Sequence, residues 1–233
     1  MQALLSLLVT ALYWGWIREA GILALSWGGL TRIGEAISAV RRQLVLPRDV
    51  EFTASHALLQ IDEPKTRFRT ARHQVAKLDQ PQLLALVDLA FHRLSPGQRL
   101  WPFSGQTMRK RFQRLLAANN LDRLPHGLSR GLDLGSLRAG GASWLMLVGD
   151  NVDMIRRRGR WVSIKVMEIY VQEVSAIQFF PNLPGNVKKQ ITDGAAIFPW
   201  ILAQAQILDR ISIPLSAWPI IFRGEAAKLE QNG

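Results

Sequence analysis

Hydrophobic positions at the start of the chain form a nearly continuous run, MQALLSLLVTALYWGWI over residues 1–17, which predicts a buried helix. Arg18 and Glu19 end this run short of the roughly 20 apolar residues that a membrane span needs. The run also lacks the basic start of a signal peptide, so we expect neither a membrane segment nor a leader here. Beyond it, Gly21 and the Gly28–Gly29 pair predict a helix, a break and a second helix.

The pattern changes from helical to alternating over residues 41–78. Three short segments there are typical of strands: QLVLP (43–47), ALLQID (57–62) and HQVAKL (73–78). The second and third segments flank EPKTRFRTAR, a basic stretch that we interpret as the turn of a hairpin. The pattern therefore predicts a small three-stranded antiparallel sheet.

Helical periodicity returns after the sheet. One amphipathic helix is predicted over residues 81–92, and a second follows Ser104, a plausible N-cap. A further helix is expected to begin near Ser136, and another to run from Val152 into the arginine-rich residues 156–160. A last helix in this region is predicted to carry Tyr170 and to pack through Ile164, Val166, Met167 and Val171. The fold class that follows is α+β and mostly α.

Composition narrows the choice of partners. The 233 residues include 29 Lys+Arg and 18 Asp+Glu, so the formal charge is +11, which favours a polyanion such as nucleic acid or a membrane surface. The chain has no cysteine, and therefore neither a disulfide nor a thiolate metal site can form. The four histidines are scattered without metal-ligand spacing, and we expect no metal or other cofactor: His56, His73, His92 and His126.

Three residues have a spacing that points to one chemistry. Arg138 precedes Trp161 by 23 residues, and Trp161 precedes Tyr170 by nine. This phrase resembles the active-site half of the tyrosine recombinases, or phage integrases. That family has a His-x-x-Arg box, then a Gly-His or Gly-Trp pair, and then a nucleophilic tyrosine nine residues later. Gly135 stands here at the position of the family's box histidine.

A second phrase resembles the same family. Its catalytic domains carry an Arg-Ile-x-Glu or Arg-Pro-Gly-Glu sequence at a helix start, and residues 31–35 read Thr-Arg-Ile-Gly-Glu. The resemblance implies that Arg32 is the first catalytic arginine and that Glu35 supports the arginines. In the family a lysine on a β-hairpin reaches the cleaved phosphate, and Lys65 occupies the corresponding place.

The resemblance implies transesterification at a DNA phosphodiester. Tyr170 would attack phosphorus, Arg32 and Arg138 would clamp the nonbridging oxygens, Lys65 would protonate the leaving oxygen, and Trp161 would donate its indole N–H. Because the family's box histidine assists proton transfer, Gly135 is expected to slow the reaction. The alternatives are a mobile-element remnant that only binds DNA and a type IB topoisomerase.

The expected partner is double-stranded DNA, with no membrane involved. Candidate backbone contacts are the basic side chains of the hairpin, of the helix after Ser104 and of the run before Trp161: Arg67, Arg69, Arg72, Arg109, Lys110, Arg114, Arg156, Arg157, Arg158 and Arg160. Such a protein would be intracellular and associated with DNA, in the nucleus of a eukaryote or in the cytoplasm of a bacterium or its phage.

The resemblance covers roughly residues 1–175, the catalytic domain alone. The family's usual N-terminal helical domain, which completes a clamp around the duplex, is not expected in this chain. Residues 176–233 are interpreted as a linker and a helical tail, including an amphipathic helix over residues 187–209. This tail either docks on a second copy of the chain or packs back on its own domain.

Overall fold

The computed structural model describes residues 1–50, 54–62, 74–123, 131–149, 151–171 and 173–231, and gives side chains for these except 173–174 and 225–231. Within these ranges the chain forms three strands and eleven α-helices. The strands are β1 (Leu44–Val45), β2 (Ala57–Ile61) and β3 (Gln74–Leu78). The helices are α1 (Gln2–Tyr13), α2 (Ile17–Gly28), α3 (Ile33–Ser38), α4 (Pro81–Phe91), α5 (Gly105–Ala118), α6 (Gly135–Leu147), α7 (Val152–Arg158), α8 (Ile164–Glu168), α9 (Glu173–Phe179), α10 (Gly185–Arg210) and α11 (Trp218–Gln231). The predicted α+β, mostly α fold is confirmed.

The N-terminal apolar run forms α1, which is buried between α2 and α10, as the continuous hydrophobic pattern predicts. No helix in the described ranges is long and apolar enough to cross a membrane. The predicted break at Gly21 is wrong, because Gly21 lies inside α2 at its crossing with α4. A Cβ atom there would lie 2.6 Å from the Phe91 ring, so this glycine allows close helix packing. The chain turns instead at Gly15, whose φ is +70°.

The three predicted strands form an antiparallel sheet in the order β1-β2-β3. Leu59 of β2 lies opposite Leu44 of β1 and Ala76 of β3. All three of these side chains are buried, which is the alternation expected of a sheet with one face on the core. The sheet prediction is therefore confirmed, while the residues of the connecting hairpin, 63–73, lie outside the described ranges.

Helix α5 also follows its predicted pattern. The Ser104 hydroxyl oxygen accepts a hydrogen bond from the Thr107 amide at 3.1 Å, which caps the helix. One face buries Met108, Phe112, Leu115 and Leu116, and the opposite face exposes Arg109, Lys110 and Arg114. The amphipathic pattern thus fixes which side of α5 faces solvent.

The C-terminal helix α10 packs along α1 and belongs to the same hydrophobic core. The contact is close at Gly194, where a Cβ atom would lie 2.5 Å from the Ser6 hydroxyl oxygen. Phe198 and Trp218 of the tail are buried, whereas Ile197 and Ile220 are 48% and 74% exposed. Much of the tail's apolar surface is thus covered by its own chain. A boundary at residue 175 and association of two copies through the tail stay predictions.

A second, smaller hydrophobic cluster lies beside the main core. It is built from the turn before α3 and from α6, α7 and α8, with the buried residues Leu30, Ala142, Leu145, Ile155, Trp161 and Met167. Helix α6 reaches this position because Gly141 allows it to approach α2. A Cβ atom at Gly141 would lie 2.2 Å from the Trp27 carbonyl oxygen. This small cluster carries most of the residues that the spacing singles out.

Candidate anion-binding site

Arg138 is the buried centre of the candidate site. It lies in the first turns of α6, is 4% exposed, and donates a hydrogen bond from Nη2 to the Gly159 carbonyl oxygen. Its guanidinium carbon lies 4.7 Å from the Trp161 ring centroid and 5.2 Å from that of Tyr170. The two rings are themselves 5.2 Å apart. The three residues singled out by spacing are therefore in mutual contact.

The turn after α7 explains the Gly-Arg-Trp sequence. The Trp161 ring lies directly over Gly159, where a Cβ atom would come within 1.7 Å of a ring carbon. Arg160 between them has a φ of +56°, in the left-handed region that non-glycine residues rarely adopt. The Trp161 amide donates to the Arg156 carbonyl at 3.0 Å and closes the turn. The turn thus supplies both a carbonyl for Arg138 and an aromatic wall for the site.

Glu35 links two further arginines to this centre. Its carboxylate accepts from Arg32 Nη1 at 2.7 Å and from Arg160 Nη2 at 2.5 Å. It also accepts from the Arg32 backbone amide at 2.9 Å, which fixes the start of α3. The side chains of Glu35 and Arg160 are 7% and 6% exposed, and that of Arg32 is 25% exposed. Arg160 is therefore buried beside Glu35 and is not a surface contact.

The site contains more positive than negative charge. Burial lowers the pKa of Arg138 to about 10, and repulsion by Arg32 and then by Arg160 adds to this effect. Burial also lowers the pKa of Arg160. Glu35 is the carboxylate that offsets these charges, and it raises the pKa of both arginines. Three guanidinium groups thus share one carboxylate.

Several buried donors at the site have no acceptor among the described residues. They are Nε and Nη1 of Arg138, Nε and Nη1 of Arg160, and Nε1 of Trp161. Buried polar atoms in proteins are nearly always hydrogen-bonded, and an unpaired buried N–H is costly. A group of unpaired donors within a positive cluster is chemically suited to an anion with several oxygen atoms.

Four of the five predicted catalytic residues, Arg32, Arg138, Trp161 and Tyr170, come together around this centre. The fifth, Lys65, lies outside the described residues. The prediction that Tyr170 lies on a helix is wrong, because α8 ends at Glu168 and Tyr170 follows it. Met167 is buried as predicted, but Ile164 and Val166 are 46% and 39% exposed, since this short helix buries one narrow face.

Gly135 is the first residue of α6, one turn before Arg138. The Asp133 carboxylate accepts from the Ser136 amide at 3.0 Å and supports the start of the helix. A Cβ atom at Gly135 would lie 3.0 Å from this carboxylate oxygen. Because Asp133 is exposed, a small shift of its side chain would accommodate a larger residue at position 135.

The predicted DNA contacts fall into three groups. Arg67, Arg69 and Arg72 lie outside the described residues, and the basic residues of α5 are exposed. In the run before Trp161, Arg156 and Arg157 pair with Asp153 at 2.8 and 2.7 Å. Arg158 pairs with Asp79 at the end of β3. The run is therefore held by carboxylates of its own chain, and Arg157, with a side chain 71% exposed, faces solvent most.

No cluster of three or more His, Cys, Asp or Glu side chains suited to a metal ion occurs among the described residues. The sequence matches no family model. It also matches none of the curated proteins. A solved structure described as the crystal structure of XerA recombinase aligns with 82% of this chain and 61% of that chain, at a TM-score of 0.49 and 14% identity. The chain thus spans less than two thirds of that structure, and a likeness of this extent carries no argument about function.

Proposed function

We propose that the chain binds double-stranded DNA and transfers its strands through a covalent bond between Tyr170 and a DNA phosphate, as a tyrosine recombinase would. One observation carries this proposal. The buried guanidinium group of Arg138 keeps two nitrogens without partners among the described residues while it contacts both Trp161 and Tyr170. Donors for a phosphate and a phenol that could attack it are therefore neighbours.

The reaction balances without redox chemistry. The Tyr170 oxygen bonds to phosphorus, the bond from phosphorus to the 5′-oxygen breaks, and a 3′-phosphotyrosine remains. The phenol gives up its proton, and the departing 5′-oxygen gains one, so a free 5′-hydroxyl is the product. Attack by another 5′-hydroxyl reverses these steps and joins the strands. The energy of the phosphodiester is retained throughout.

The arginines suit the charge that develops during such a step. A guanidinium group binds two phosphate oxygens in a fork, which lysine cannot reproduce. In a buried site with low dielectric, its attraction for the phosphate is stronger than it would be in water. Arg138 supplies this buried charge, and Arg32, held by Glu35 at 2.7 Å, lies close enough to lower the pKa of Arg138. By resemblance, Lys65 would be the proton donor.

The test is covalent trapping on a nicked duplex whose short leaving strand diffuses away after cleavage. We expect wild type to form a covalent protein–DNA adduct and Tyr170→Phe to form none while it still binds DNA. The chain provides a matched control in Tyr13, its only other tyrosine. The Tyr13 hydroxyl oxygen accepts from Arg223 at 3.3 Å, so Tyr13 has a different set of neighbours. Tyr13→Phe should form the adduct as wild type does.

Gly135→His tests whether proton transfer is what the site lacks. General acid–base assistance is typically worth about 10²–10⁴-fold, and position 135 can take a side chain if Asp133 shifts. We therefore expect the adduct to form faster in this variant. Gly135→Ala is the control for the added bulk, and it should leave the rate unchanged.

The second candidate function, favoured by Gly135, is DNA binding without cleavage. Both functions predict that affinity for duplex DNA falls by decades between about 50 and 200 mM salt if six or more phosphates are contacted. They differ in the trapping experiment. If wild type and Gly135→His bind duplex DNA and neither forms an adduct, binding alone is the function. Relaxation of supercoiled plasmid by wild type would instead indicate a topoisomerase. Each of these functions requires a location where DNA is present.

A further inference from the structure

Arg160 differs from its neighbours in the basic run. Arg156, Arg157 and Arg158 pair with Asp153 or Asp79, and of these three only Arg158 leaves a buried nitrogen, its Nε, without a partner among the described residues. Arg160 pairs with Glu35 inside the site, and its side chain is 6% exposed. Its Nε and Nη1 atoms are buried without a partner among the described residues, as are the same two atoms of Arg138. Arg160 thus has the property that marks Arg138 as an anion ligand.

We propose that Arg160 is a third arginine that binds the phosphate directly, and that Glu35 positions both Arg160 and Arg32 for it. This inference rests on the proposed function for the identity of the natural phosphate. Glu35 holds one nitrogen of each arginine, at 2.5 Å for Arg160 and 2.7 Å for Arg32. The Nε and Nη1 atoms of Arg160 are then the ones that donate to phosphate oxygens.

The turn that carries Arg160 is fixed on both sides by residues of the same site. Gly159 before it accepts the hydrogen bond from Arg138, and the buried Trp161 ring follows it. The φ of +56° at Arg160 is sparsely populated, so the surrounding contacts must hold it. Strained backbone of this kind is concentrated at ligand sites. Arg160 is therefore positioned by the contacts that also position Arg138 and Trp161.

The charges explain why a third arginine would help. Among the described residues of the site, Arg32, Arg138 and Arg160 with Glu35 carry a net charge of +2. A phosphodiester carries one negative charge, whereas the five-coordinate arrangement formed when a phenolate oxygen attacks it carries two. Interactions that strengthen in the transition state raise the rate of the chemical step. Three arginines and one carboxylate therefore match the transition state better than the bound substrate.

Binding of inorganic phosphate tests this inference without requiring any reaction. Calorimetric titration at constant ionic strength should show binding to wild type and to Tyr170→Phe. Arg160→Gln should weaken it by about 10- to 100-fold, because charge-assisted hydrogen bonds are lost. The matched control is Arg93→Gln, an exposed arginine that pairs with Asp209 of α10, which should bind as wild type does. Equal affinity of Arg160→Gln and wild type, or no phosphate binding by wild type, would overturn the inference.

Glu35→Gln provides a second test of the inference in case the Arg160 variant fails to fold. The Gln side chain keeps an amide oxygen that still accepts from the arginines but removes the negative charge, so phosphate should bind more tightly, by about 3- to 10-fold. If Arg160 served only to pair with Glu35, the loss of that pair would loosen the site. Unchanged or weaker phosphate binding by a folded Glu35→Gln protein would therefore also refute the inference.

A duplex whose cleavage-site phosphate is replaced by an uncharged group distinguishes direct contact between Arg160 and that phosphate from an indirect effect. On a duplex with a methylphosphonate at the cleavage position, one phosphate charge is missing. Arg160→Gln should slow adduct formation at least 10-fold less on this substrate than on the normal phosphate. Equal slowing on both substrates would contradict direct binding. If wild type forms no adduct at all, the proposed function fails, and the phosphate titrations alone decide the role of Arg160.

Discussion

Arg41 and Arg138 are both buried arginines, but only one of them is fully hydrogen-bonded. Arg41 donates from Nε to the Phe91 carbonyl at 3.1 Å and from Nη1 to the Leu44 carbonyl at 2.6 Å. Its Nη2 binds both oxygens of Asp49, at 2.7 and 2.8 Å. Arg138 has one hydrogen bond and two nitrogens without partners among the described residues. The difference separates an arginine that holds the fold from one suited to a ligand.

The electrostatic environments of Arg41 and Arg138 differ in the same way. Burial would raise the pKa of Asp49, but the hydrogen bonds from Arg41 and from the Leu46 amide outweigh it, and the pKa is lowered. The charged pair is thus favoured in the folded chain. The pKa of Arg138 is lowered to about 10, mainly by burial, so folding works against its charge. A bound anion would remove this cost.

The largest effect is expected for Arg41→Met. The substitution leaves two buried carbonyl groups and the partly exposed Asp49 carboxylate without their donor, and each buried group left unpaired costs about 1–3 kcal/mol. Urea unfolding monitored by circular dichroism should show the loss. A decrease of less than about 1 kcal/mol would mean that Arg41 does not hold the fold through these hydrogen bonds.

Arg138→Met should change stability in the opposite direction. The apolar side chain has similar length and removes a buried charge, so the free energy of unfolding should rise by about 1–2 kcal/mol, even after the loss of one hydrogen bond. The same variant should lose phosphate binding and adduct formation. A large destabilisation in the urea experiment would assign Arg138 to the same class as Arg41.

The stabilities of Arg138→Met and of wild type should also depend differently on pH at alkaline values. A cation whose folded pKa is lowered destabilises the fold while it is charged in both states, and this cost is relieved as pH rises through about 10. The stability advantage of Arg138→Met over wild type should therefore shrink above about pH 10. Urea unfolding of both proteins at pH 8 and pH 11 measures this, and an advantage that grows with pH would contradict it.

The smallest expected effect is the loss of the contribution of Asp49 to stability at acidic pH. A carboxyl group with a lowered folded pKa stabilises the fold above its unfolded value, near pH 3.9, and this contribution is lost as pH falls. The stability gap between wild type and Arg41→Met should therefore narrow between about pH 5 and pH 3. The gap for Arg138→Met should stay constant over the same range, which provides the internal control.

The resemblance of their spacing to a family motif was sufficient to single out Arg138, Trp161 and Tyr170, which lie in contact in the structure. It was not sufficient for Arg160, whose place depends on a left-handed φ and on a carboxylate 125 positions away in the chain. The sequence assigned Arg160 to the surface with its neighbours. A non-glycine residue between Gly159 and the bulky Trp161 is the local signal that could have separated it from them.

The fold was predictable where one element's own pattern decided it, as in the alternating strands and in α5. The fold was not predictable where packing against a neighbouring element determined the local structure. Gly21 was expected to break a helix, but it lies within α2 because Phe91 of α4 packs against it. The exposure of Ile164 and Val166 is a similar case, since the small cluster beside α8 offers them no partner.

Attack by Tyr170 on DNA is tested most directly by locating the covalent bond itself. After trapping on the nicked duplex, nuclease and trypsin digestion followed by mass spectrometry should find nucleotide on the peptide 166–188, which contains Tyr170 between Lys165 and Lys188. Fragmentation should place the nucleotide on Tyr170 in wild type and in Tyr13→Phe. Nucleotide on the peptide 1–18, which contains Tyr13, or no modified peptide in wild type and in Gly135→His, would show that Tyr170 is not the nucleophile.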